Sequence, residues 1–435
     1  MYFYKFKEIL YIIYDLLPKS LKSFALPKLE PIYLFMKRVL LIISQIKLSV
    51  FLLDGKDKCS GNNITTLFIG GKRVMPYLSD LVYSKEPENK FIGRVFIWKI
   101  MSKIQSIIPK PDVIFIGIDK FFSYFLFKNG FIVIPGWLLF TLDLSKPLQK
   151  SWNLSKNKSL KEDIKKVKKY KYFYKMTCNP IEFEYFYHHM YLPYIPERFG
   201  KSTIHTNFYP MKFTFEKGRL LLVKQENKNI SGMIIWTHNK DVYAAYLGVR
   251  DGRIEFLKRG ALSAAYYFTI MWAKENRFKQ IDLAHCRPFF NDGLFYYKKK
   301  WGAEIKRSTR LQSILGMKII NYHQGVLNFL EKNPFIFIDK NKLKGLIFID
   351  QEKPLTLKEV KSLFNKYYIS GINNVIIISP QRFTEKVKKF ANSMSTQKLN
   401  LIRIDPDLFF KKFPHIMKLE NYYDSLNEKT KYDVK

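Results

Sequence analysis

The order of secondary-structure signals between Leu220 and Lys300 is the feature that most restricts the fold of this chain. Three apolar runs separated by short polar turns predict three consecutive antiparallel strands over 220–223, 230–238 and 242–249. A helical run, a further strand over 280–284, a polar loop and a second helix follow. Because a strand that ends in a polar loop before a helix is a common scaffold for a site, we expect chemistry in that loop.

The loop after the fourth strand carries three side chains that could take part in binding or catalysis, namely His285, Arg287 and Asp292. Arg287 would either clamp a phosphate or carboxylate through two parallel hydrogen bonds, or form an ion pair with Asp282 or Asp292. Asp292 directly precedes the predicted helix, so it is a candidate either for catalysis or for the helix N-cap. His285 is the imidazole nearest to the predicted site and is a candidate general base.

The same part of the chain resembles the Fem-like branch of the GNAT acyltransferases, including its BioF2-like acetyltransferase domains. The resemblance rests on the helix over 266–276 with its Trp272-Ala273 pair, the strand over 281–283, and Arg287 in the following loop. It also rests on the run 292–302, which is similar to the family's "(F/Y)Kxx(F/W)G" ending. The resemblance covers residues 150–306, and we find none elsewhere in the chain.

This resemblance implies an α/β fold, more closely an α+β arrangement of two tandem GNAT-like halves with mixed sheets. Outside the resemblance, apolar runs that alternate with helical patterns in 326–435 predict a small C-terminal domain with the order β-α-β-α-β. In the GNAT-like fold neighbouring strands splay apart, here near 245–249 against 281–284. A backbone N–H in the gap polarises the carbonyl of the donor, and the amine or hydroxyl of the acceptor attacks it directly.

The resemblance also implies roles for individual side chains. Lys298 would face the donor and offset developing negative charge, although three consecutive lysines are also typical of a solvated surface. Tyr296 or Tyr297 would donate a proton to the leaving group. Arg198, in a segment similar to the family's "Y.PY…RFG", would contact the acceptor, and Asp282 is a further candidate for substrate binding.

One departure from the general GNAT pattern concerns the donor. A loop of the form (Q/R)xxGx(G/A) usually holds a pyrophosphate, and here its first position is Leu257. Lys258, Arg259, Gly260 and Ala261 still combine cations, a glycine and a helix N-terminus, which suit a phosphate. We therefore expect acyl-coenzyme A as a co-substrate, with no tightly bound cofactor and no metal. Aminoacyl-tRNA is the alternative donor, because such donors do not need the loop.

The charge of the chain points to anionic partners. Lys and Arg number 74 against 37 Asp and Glu, a formal net charge of +37. Either a general bias toward Lys or a nucleic acid, membrane surface or phosphorylated substrate explains this excess. Residues 146–176 hold 11 Lys, and apolar residues recur there at helical spacing, so we predict a basic amphipathic helix with Ser159 and Glu162 as its capping box.

Four zones follow along the chain. Residues 1–60 are predicted to be helical, and 32–53 to form either a basic amphipathic helix on an anionic membrane or an ordinary packed helix. Residues 61–176 would form the first GNAT-like half, 177–325 the catalytic half, and 326–435 a small α/β domain of unknown role. Three widely spaced cysteines indicate a reducing compartment, so we expect a cytoplasmic protein, peripheral at the inner face of the membrane.

These observations predict an acyltransferase that moves an acyl group from a thioester to an amine or hydroxyl of a cell-surface sugar, lipid-linked precursor or peptide. Two other functions remain open. One is an aminoacyl-tRNA-dependent peptide ligase of the Fem type, and the other is a non-catalytic basic scaffold at a membrane surface.

Overall fold

The computed structural model of the protein describes residues 38–71, 74–126, 130–148, 152, 157–199, 206–394 and 398–403. These residues form two compact units. The first unit takes Leu139–His285 and Tyr297–Lys306, and the second takes 38–138, Cys286–Tyr296 and 307–403. The four predicted zones divide the chain along its length, whereas the units divide it in space, so each unit takes segments from more than one zone.

The first unit is built on a seven-stranded sheet with the order β12-β6-β11-β10-β9-β8-β7. Its strands are β6 (Leu138–Asp143), β7 (Phe173–Thr177), β8 (Gly218–Gln225), β9 (Lys228–His238), β10 (Asp241–Val249), β11 (Gln280–Cys286) and β12 (Glu304–Arg307). The associated helices are α5 (Lys158–Lys169), α6 (Pro180–Phe186), a π-turn (Tyr187–Tyr191), α7 (Leu192–Phe199), α8 (Phe208–Glu216), α9 (Ile254–Lys258) and α10 (Ala261–Glu275). A further helix, α11 (Gly293–Lys300), belongs to this unit from Tyr297 onward.

The three consecutive antiparallel strands predicted from the sequence are β8, β9 and β10, which pair in that order. Tight turns join them, and Glu226 and Asn239 adopt the left-handed conformation in these turns with φ of 52° and 55°. The inner residues of the strands are apolar, and Leu222 and Ile234 are buried in a cluster with Phe183 and Phe186 of α6. This part of the prediction is confirmed.

The second unit contains two sheets. The larger has the order β3-β1-β2-β4-β13-β5, from β1 (Lys47–Lys56), β2 (Asn63–Gly70), β3 (Glu88–Phe96), β4 (Val113–Asp119), β5 (Ile132–Pro135) and β13 (Ser313–Ile319). The smaller has the order β14-β15-β16-β17, from β14 (Phe335–Asp339), β15 (Lys342–Phe348), β16 (Asn374–Ser379) and β17 (Leu399–Arg403). Its helices are α1 (38–44), α2 (Met75–Val82), α3 (Ile100–Gln105), α4 (Lys120–Leu126), α12 (Gln324–Lys332), α13 (Leu357–Tyr367) and α14 (Glu385–Ser393).

All three sheets mix parallel and antiparallel pairs, so the predicted α/β class with mixed sheets is confirmed. The C-terminal order β-α-β-α-β is present as β15, α13, β16, α14 and β17, and the three strands are parallel. The antiparallel edge strand β14 was not predicted. Phe335 of β14 and Ile376 of β16 share a buried cluster with Phe115 of β4, so the C-terminal sheet completes the core of the second unit.

The predicted helix over 32–53 is wrong for its second half. Residues 38–44 are helical, but Lys47–Lys56 is strand β1, which lies between β2 and β3. Leu48, Val50 and Leu53 are all buried, as expected of a strand covered on both faces. A short continuous apolar run does not distinguish such a strand from a buried helix by its periodicity, which explains the error. The predicted helices before residue 38 lie outside the described residues.

Two further observations concern partners. Among the helices that the structure describes, none is both long and apolar enough to cross a bilayer. Within the described ranges, no group of three or more His, Cys, Asp or Glu side chains is arranged to hold a metal ion.

Candidate functional site: a strand splay and a buried arginine

The parallel strands β10 and β11 separate soon after they meet. They pair at only three positions, from Asp241–Gln280 to Tyr243–Asp282, although β10 continues to Val249. β10 remains paired with β9 along this continuation. The ladder between β10 and β11 thus opens in the region that the sequence predicts, next to residues 245–249.

Two local irregularities open the gap. In β10 a bulge at Ala245 shifts the register against β9 immediately after the last pair with β11. In β11 Ala284 adopts φ +62°, a left-handed conformation that alanine rarely occupies. The carboxylate of Asp282 accepts a hydrogen bond from the Ala284 N–H at 2.7 Å, which stabilises this bend. Asp282 is buried and therefore positions backbone at the gap.

The far end of β10 is held by a close backbone contact. A Cβ atom added at Gly248 would lie 2.7 Å from the backbone carbon of Met190, so glycine is required where the π-turn crosses the strand. The next aromatic side chain of that turn, Tyr191, packs edge-on against Tyr246 of β10 at 5.9 Å. This aromatic wall of the gap comes from the segment that resembles the family's "Y.PY…RFG" run.

The N-terminus of α10 provides the candidate phosphate site. Gly260 is the N-cap residue with φ +88°, and Ala261 is fully buried at the first helical position. The first N–H groups of a helix of this length have no intrahelical acceptor and carry partial positive charge. Lys166 of α5 lies over this terminus, since its Cβ would be 3.1 Å from a Cβ added at Gly260.

Two exposed cations stand next to this terminus. Lys258 ends α9, and the guanidinium of Arg259 lies 5.8 Å from the ring centre of Tyr170. Together with Lys166 they surround the α10 N-terminus with positive charge, an arrangement that suits a phosphate group. The helix α5 begins two residues earlier than predicted, because Asn157, not Ser159, caps it by accepting from the Leu160 N–H.

Lys298 lies inside the first unit with 3% of its surface exposed. Its ammonium group donates to the carbonyl oxygen of His285 at 3.1 Å and lies 5.7 Å from the ring centre of Phe140. The lysine is therefore fixed at the carboxyl end of β11, beyond the bend at Ala284. His285 contributes its backbone oxygen to this arrangement, and its ring is half-buried.

The other residues of α11 differ in their exposure. Asp292 accepts from the N–H groups of Leu294 and Phe295, so it caps the helix as the alternative interpretation predicts. Tyr296 is 55% exposed. Tyr297 instead hydrogen-bonds through its hydroxyl to Ser263 at 3.0 Å, and burial raises its pKa well above the ordinary value.

Two further residues lie outside these contacts, one that the sequence predicted and one that it did not. Arg198, in α7, is exposed and hydrogen-bonds to Tyr194, whose pKa burial raises to about 12. Lys299, which sequence reasoning did not single out, is half-buried, and burial lowers its pKa to about 8.

Arg287 belongs to the second unit, where it lines a cavity of about 560 Å³. Its guanidinium lies 3.8 Å from the ring centre of Trp137 and 4.9 Å from that of Tyr77, and it donates to the Gly136 carbonyl at 3.3 Å. Burial lowers the pKa of Arg287, while Tyr77 and Asp292 oppose this effect. Burial raises the pKa of Tyr77 well above its usual value, with Asp292 contributing.

The walls of this cavity favour an anion. Lys47, Arg94 and Arg287 contribute cations, and no Asp or Glu lines it among the described residues. Gly70 and Gly117 face each other in β2 and β4, and glycine is required at position 70 because a Cβ there would lie 2.7 Å from the Gly117 oxygen. The cavity lies at the carboxyl ends of parallel strands, where α/β sheets usually bind ligands.

Apart from Arg198 and Tyr296, the predicted residues form three groups. Asp282 lies in β11, Lys298 contacts the backbone of His285 at the end of that strand, Lys258–Ala261 lie at the α10 N-terminus, and Arg287 and Asp292 belong to the second unit. Sequence reasoning missed Lys166, Tyr77 and Trp137, since they lie far along the chain from the residues they contact. The basic run was the only available signal for Lys166.

No protein-family model matches the chain, and no curated protein sequence matches it. Solved structures show a distant likeness. L-PGS from Bacillus licheniformis has 12% identity over 65% of this chain and 88% of its own, with a TM-score of 0.32. FemX has 13% identity over 61% of this chain and 83% of its own, with a TM-score of 0.33. A GCN5-related N-acetyltransferase from Sphaerobacter thermophilus has 10% identity over 60% of this chain and 75% of its own, with a TM-score of 0.30. At TM-scores this low none of these likenesses supports an assignment of function.

Proposed function

We propose that the protein is an acyltransferase that moves an acyl group from acyl-coenzyme A to an amine or hydroxyl group of a polar acceptor. A cell-surface sugar, a lipid-linked precursor or a peptide would supply that group. The observation that carries the proposal is the opening of the β10–β11 ladder after Tyr243 and Asp282. A backbone N–H group that lines this gap can donate to a carbonyl oxygen, which is the electrostatic stabilisation that acyl transfer requires.

The reaction would be a direct transfer. The nitrogen or oxygen of the acceptor forms a bond to the acyl carbon, the carbon–sulfur bond breaks, and the proton lost by the acceptor passes to the departing thiolate. Lys298, fixed at the end of β11, would offset negative charge that develops on the donor. Lys258, Arg259 and Lys166 would hold the phosphates of the donor at the α10 N-terminus.

The first test is the melting temperature of the protein with coenzyme A and acetyl-coenzyme A at two salt concentrations. A ligand that binds only the folded state raises the melting temperature by mass action. We expect an increase that persists at the higher salt concentration and is lost when Lys258→Gln and Arg259→Gln are combined. The matched control combines Lys386→Gln and Lys389→Gln, which remove two exposed charges from α14. No response from the unmodified protein would contradict coenzyme A as the donor.

Catalysis is tested separately from donor binding. Lys298→Gln should keep the response to coenzyme A but lose release of free thiol from acetyl-coenzyme A in the presence of amine and hydroxyl acceptors. Charge stabilisation of this kind contributes roughly 10²–10³ in rate. If the variant releases thiol as fast as the unmodified protein does, Lys298 has no role in the reaction.

The structure also favours a second donor, an aminoacyl-tRNA. Lys166 of α5 lies beside the α10 N-terminus, and Lys161, Lys168 and Lys169 of the same helix are exposed. A row of cations is suited to phosphates, and binding through it would fade as salt increases. A melting response to tRNA but not to coenzyme A would make the protein an aminoacyl-tRNA-dependent ligase.

Arg287 would bind an anionic group of a ligand in the cavity of the second unit. Its planar guanidinium is already held against the rings of Trp137 and Tyr77, so only a small loss of side-chain entropy accompanies binding. Titration with inorganic pyrophosphate should show binding that Arg287→Lys weakens by about tenfold, since lysine lacks the planar donor pair. Equal affinity in both proteins would exclude Arg287 from the site.

A further inference from the structure

One edge of the six-stranded sheet in the second unit collects the ends of several strands. Lys47 pairs with Phe96 and Asp119 with Ser313, so β1 and β13 begin where β3 and β4 end. β2 ends at the same place because it runs parallel to β4. We call this region the carboxyl edge of the sheet.

Helix α1 is fixed across the carboxyl edge. The guanidinium of Arg38 donates to the carboxylate of Asp119 and to the side-chain oxygen of Gln312. The side chain of Gln45, just after the helix, accepts from the Asp119 N–H at 2.6 Å. These contacts hold α1 in place independently of its apolar side chains.

The carboxyl edge exposes large apolar side chains. Trp98 is 65% exposed and stacks on Phe96, with ring centres 4.9 Å apart. Other exposed apolar side chains at this edge come from α1, from the start of α4 and from the segment before β13: Leu40, Ile43, Phe121 and Leu311. Such apolar groups gathered on one surface usually mark a binding surface.

The charges at the carboxyl edge are almost all positive. In the described segments 38–49, 94–99, 117–123 and 311–315 the one carboxylate is Asp119, which is 1% exposed and bonded to Arg38. The exposed cations are Lys47, Arg94, Lys99 and Lys120. The ammonium group of Lys47 lies 5.2 Å from the ring centre of Phe96, so a cation and an aromatic ring are neighbours on this surface.

We propose that the carboxyl edge docks on an anionic lipid bilayer. Tryptophan and phenylalanine enter the boundary between head groups and acyl chains, while lysine and arginine reach the lipid phosphates. A second copy of the chain fits less well, because two such surfaces would bring like charges together. The inference does not depend on acyl transfer and applies equally to a protein without catalytic activity.

Co-sedimentation with vesicles tests the proposal. The full-length protein is mixed with vesicles of phosphatidylcholine alone, or of phosphatidylcholine with phosphatidylglycerol, at low and high salt. We expect binding to the anionic vesicles that high salt weakens. Combining Trp98→Ser with Ile43→Ser should reduce partitioning by at least about tenfold, through lost apolar insertion. Combining Lys99→Gln with Lys120→Gln should reduce it by about fivefold for each charge.

The opposite edge of the same sheet supplies matched controls. Ile108 is 87% exposed and Ile320 37% exposed, and both lie where β4 begins and β13 ends. Combining Ile108→Ser with Ile320→Ser removes a similar apolar area, and Lys56→Gln with Lys110→Gln removes two exposed charges from that edge. Both control proteins should bind anionic vesicles as the unmodified protein does.

Three results would overturn the proposal. The first is equal loss of binding in the control and carboxyl-edge variants, and the second is equal binding to neutral and anionic vesicles. The third is a dimer of the unmodified protein, measured without vesicles by analytical ultracentrifugation, that becomes monomeric when Trp98 and Ile43 are replaced. Circular dichroism of each variant distinguishes loss of the surface from loss of the fold.

Discussion

At the scale of single residues, Ala284 defines the gap between β10 and β11. A left-handed alanine costs about 1–2 kcal/mol relative to the ordinary conformation, and glycine avoids most of this cost. No feature of the local sequence predicts this left-handed conformation. It is the kind of strain that a site retains because surrounding contacts fix it, here the hydrogen bond between Asp282 and the Ala284 N–H.

We predict that Ala284→Gly leaves the free energy of unfolding unchanged or raises it by up to about 1 kcal/mol, since relief of strain offsets the greater entropy of the unfolded glycine. The matched control is Ala273→Gly, at a buried position of α10, which should lower it by about 1 kcal/mol or more. Urea denaturation measures both. Similar losses in the two variants would show that Ala284 is not strained.

Lys299 makes a prediction about pH. Burial lowers its pKa to about 8, below the ordinary value near 10.5. Between these values the unfolded chain binds a proton that the native lysine has released, so this group makes stability rise with pH. Below about 8 both states are charged and the cost of burial is constant.

Lys299→Met should therefore be more stable than the unmodified protein at pH 7, by about 1–3 kcal/mol. The advantage should shrink as pH rises from about 8 to 10.5. Lys386→Met, at an exposed position of α14, is the control and should give a difference that does not vary with pH. Denaturation midpoints measured across this range provide the test, and a constant advantage for Lys299→Met would contradict it.

At the scale of elements, sequence patterns succeeded where turns delimit short strands. The strands β8, β9 and β10 follow from polar turns at Glu226 and Asn239, and β15–β17 follow from apolar runs separated by helices. The pattern failed at β1, where a strand buried on both faces carries the same continuous apolar run as a helix. It also misplaced the cap of α5, because Asn157 and Ser159 are both good N-cap residues and only geometry selects between them.

The N-terminus of α10 allows a test of its predicted role. Gly260→Ala places a side chain at φ +88° and 3.1 Å from Lys166, so it should lower the free energy of unfolding by more than about 1 kcal/mol and weaken the response to coenzyme A. Gly61→Ala is the control, since Gly61 has φ +72° and no atom near its Cβ position. It should incur the backbone cost alone and keep the coenzyme A response. If both variants keep the same response to coenzyme A, the α10 N-terminus has no role in donor binding.

At the scale of the whole molecule, the candidate sites depend on contacts between distant parts of the chain. Arg287 contacts Tyr77 and Trp137, and no local pattern encodes such contacts. The resemblance in 150–306 located the loop and the helix around it, but the cavity, the bend at Ala284 and the apolar carboxyl edge required coordinates. The net charge follows from composition alone, but composition does not show which surface carries the charges that bind a partner.

The excess charge can be tested against a specific surface. If the net charge of +37 alone drove binding to RNA, removing three lysines from any exposed surface would have the same effect. We predict instead a specific role for α5. Replacing Lys161, Lys168 and Lys169 together by Gln should make the negative slope of log affinity for tRNA against log salt shallower by about 2–3.

The control removes Lys358, Lys386 and Lys389, which are equally exposed on α13 and α14, and should change that slope by less than about 1. Fluorescence anisotropy with labelled tRNA from low to physiological salt measures both slopes. Because the two variants carry the same net charge, a difference between them must come from where the charges lie. Identical slopes would mean that the field of the whole protein, and no α5 surface, attracts RNA.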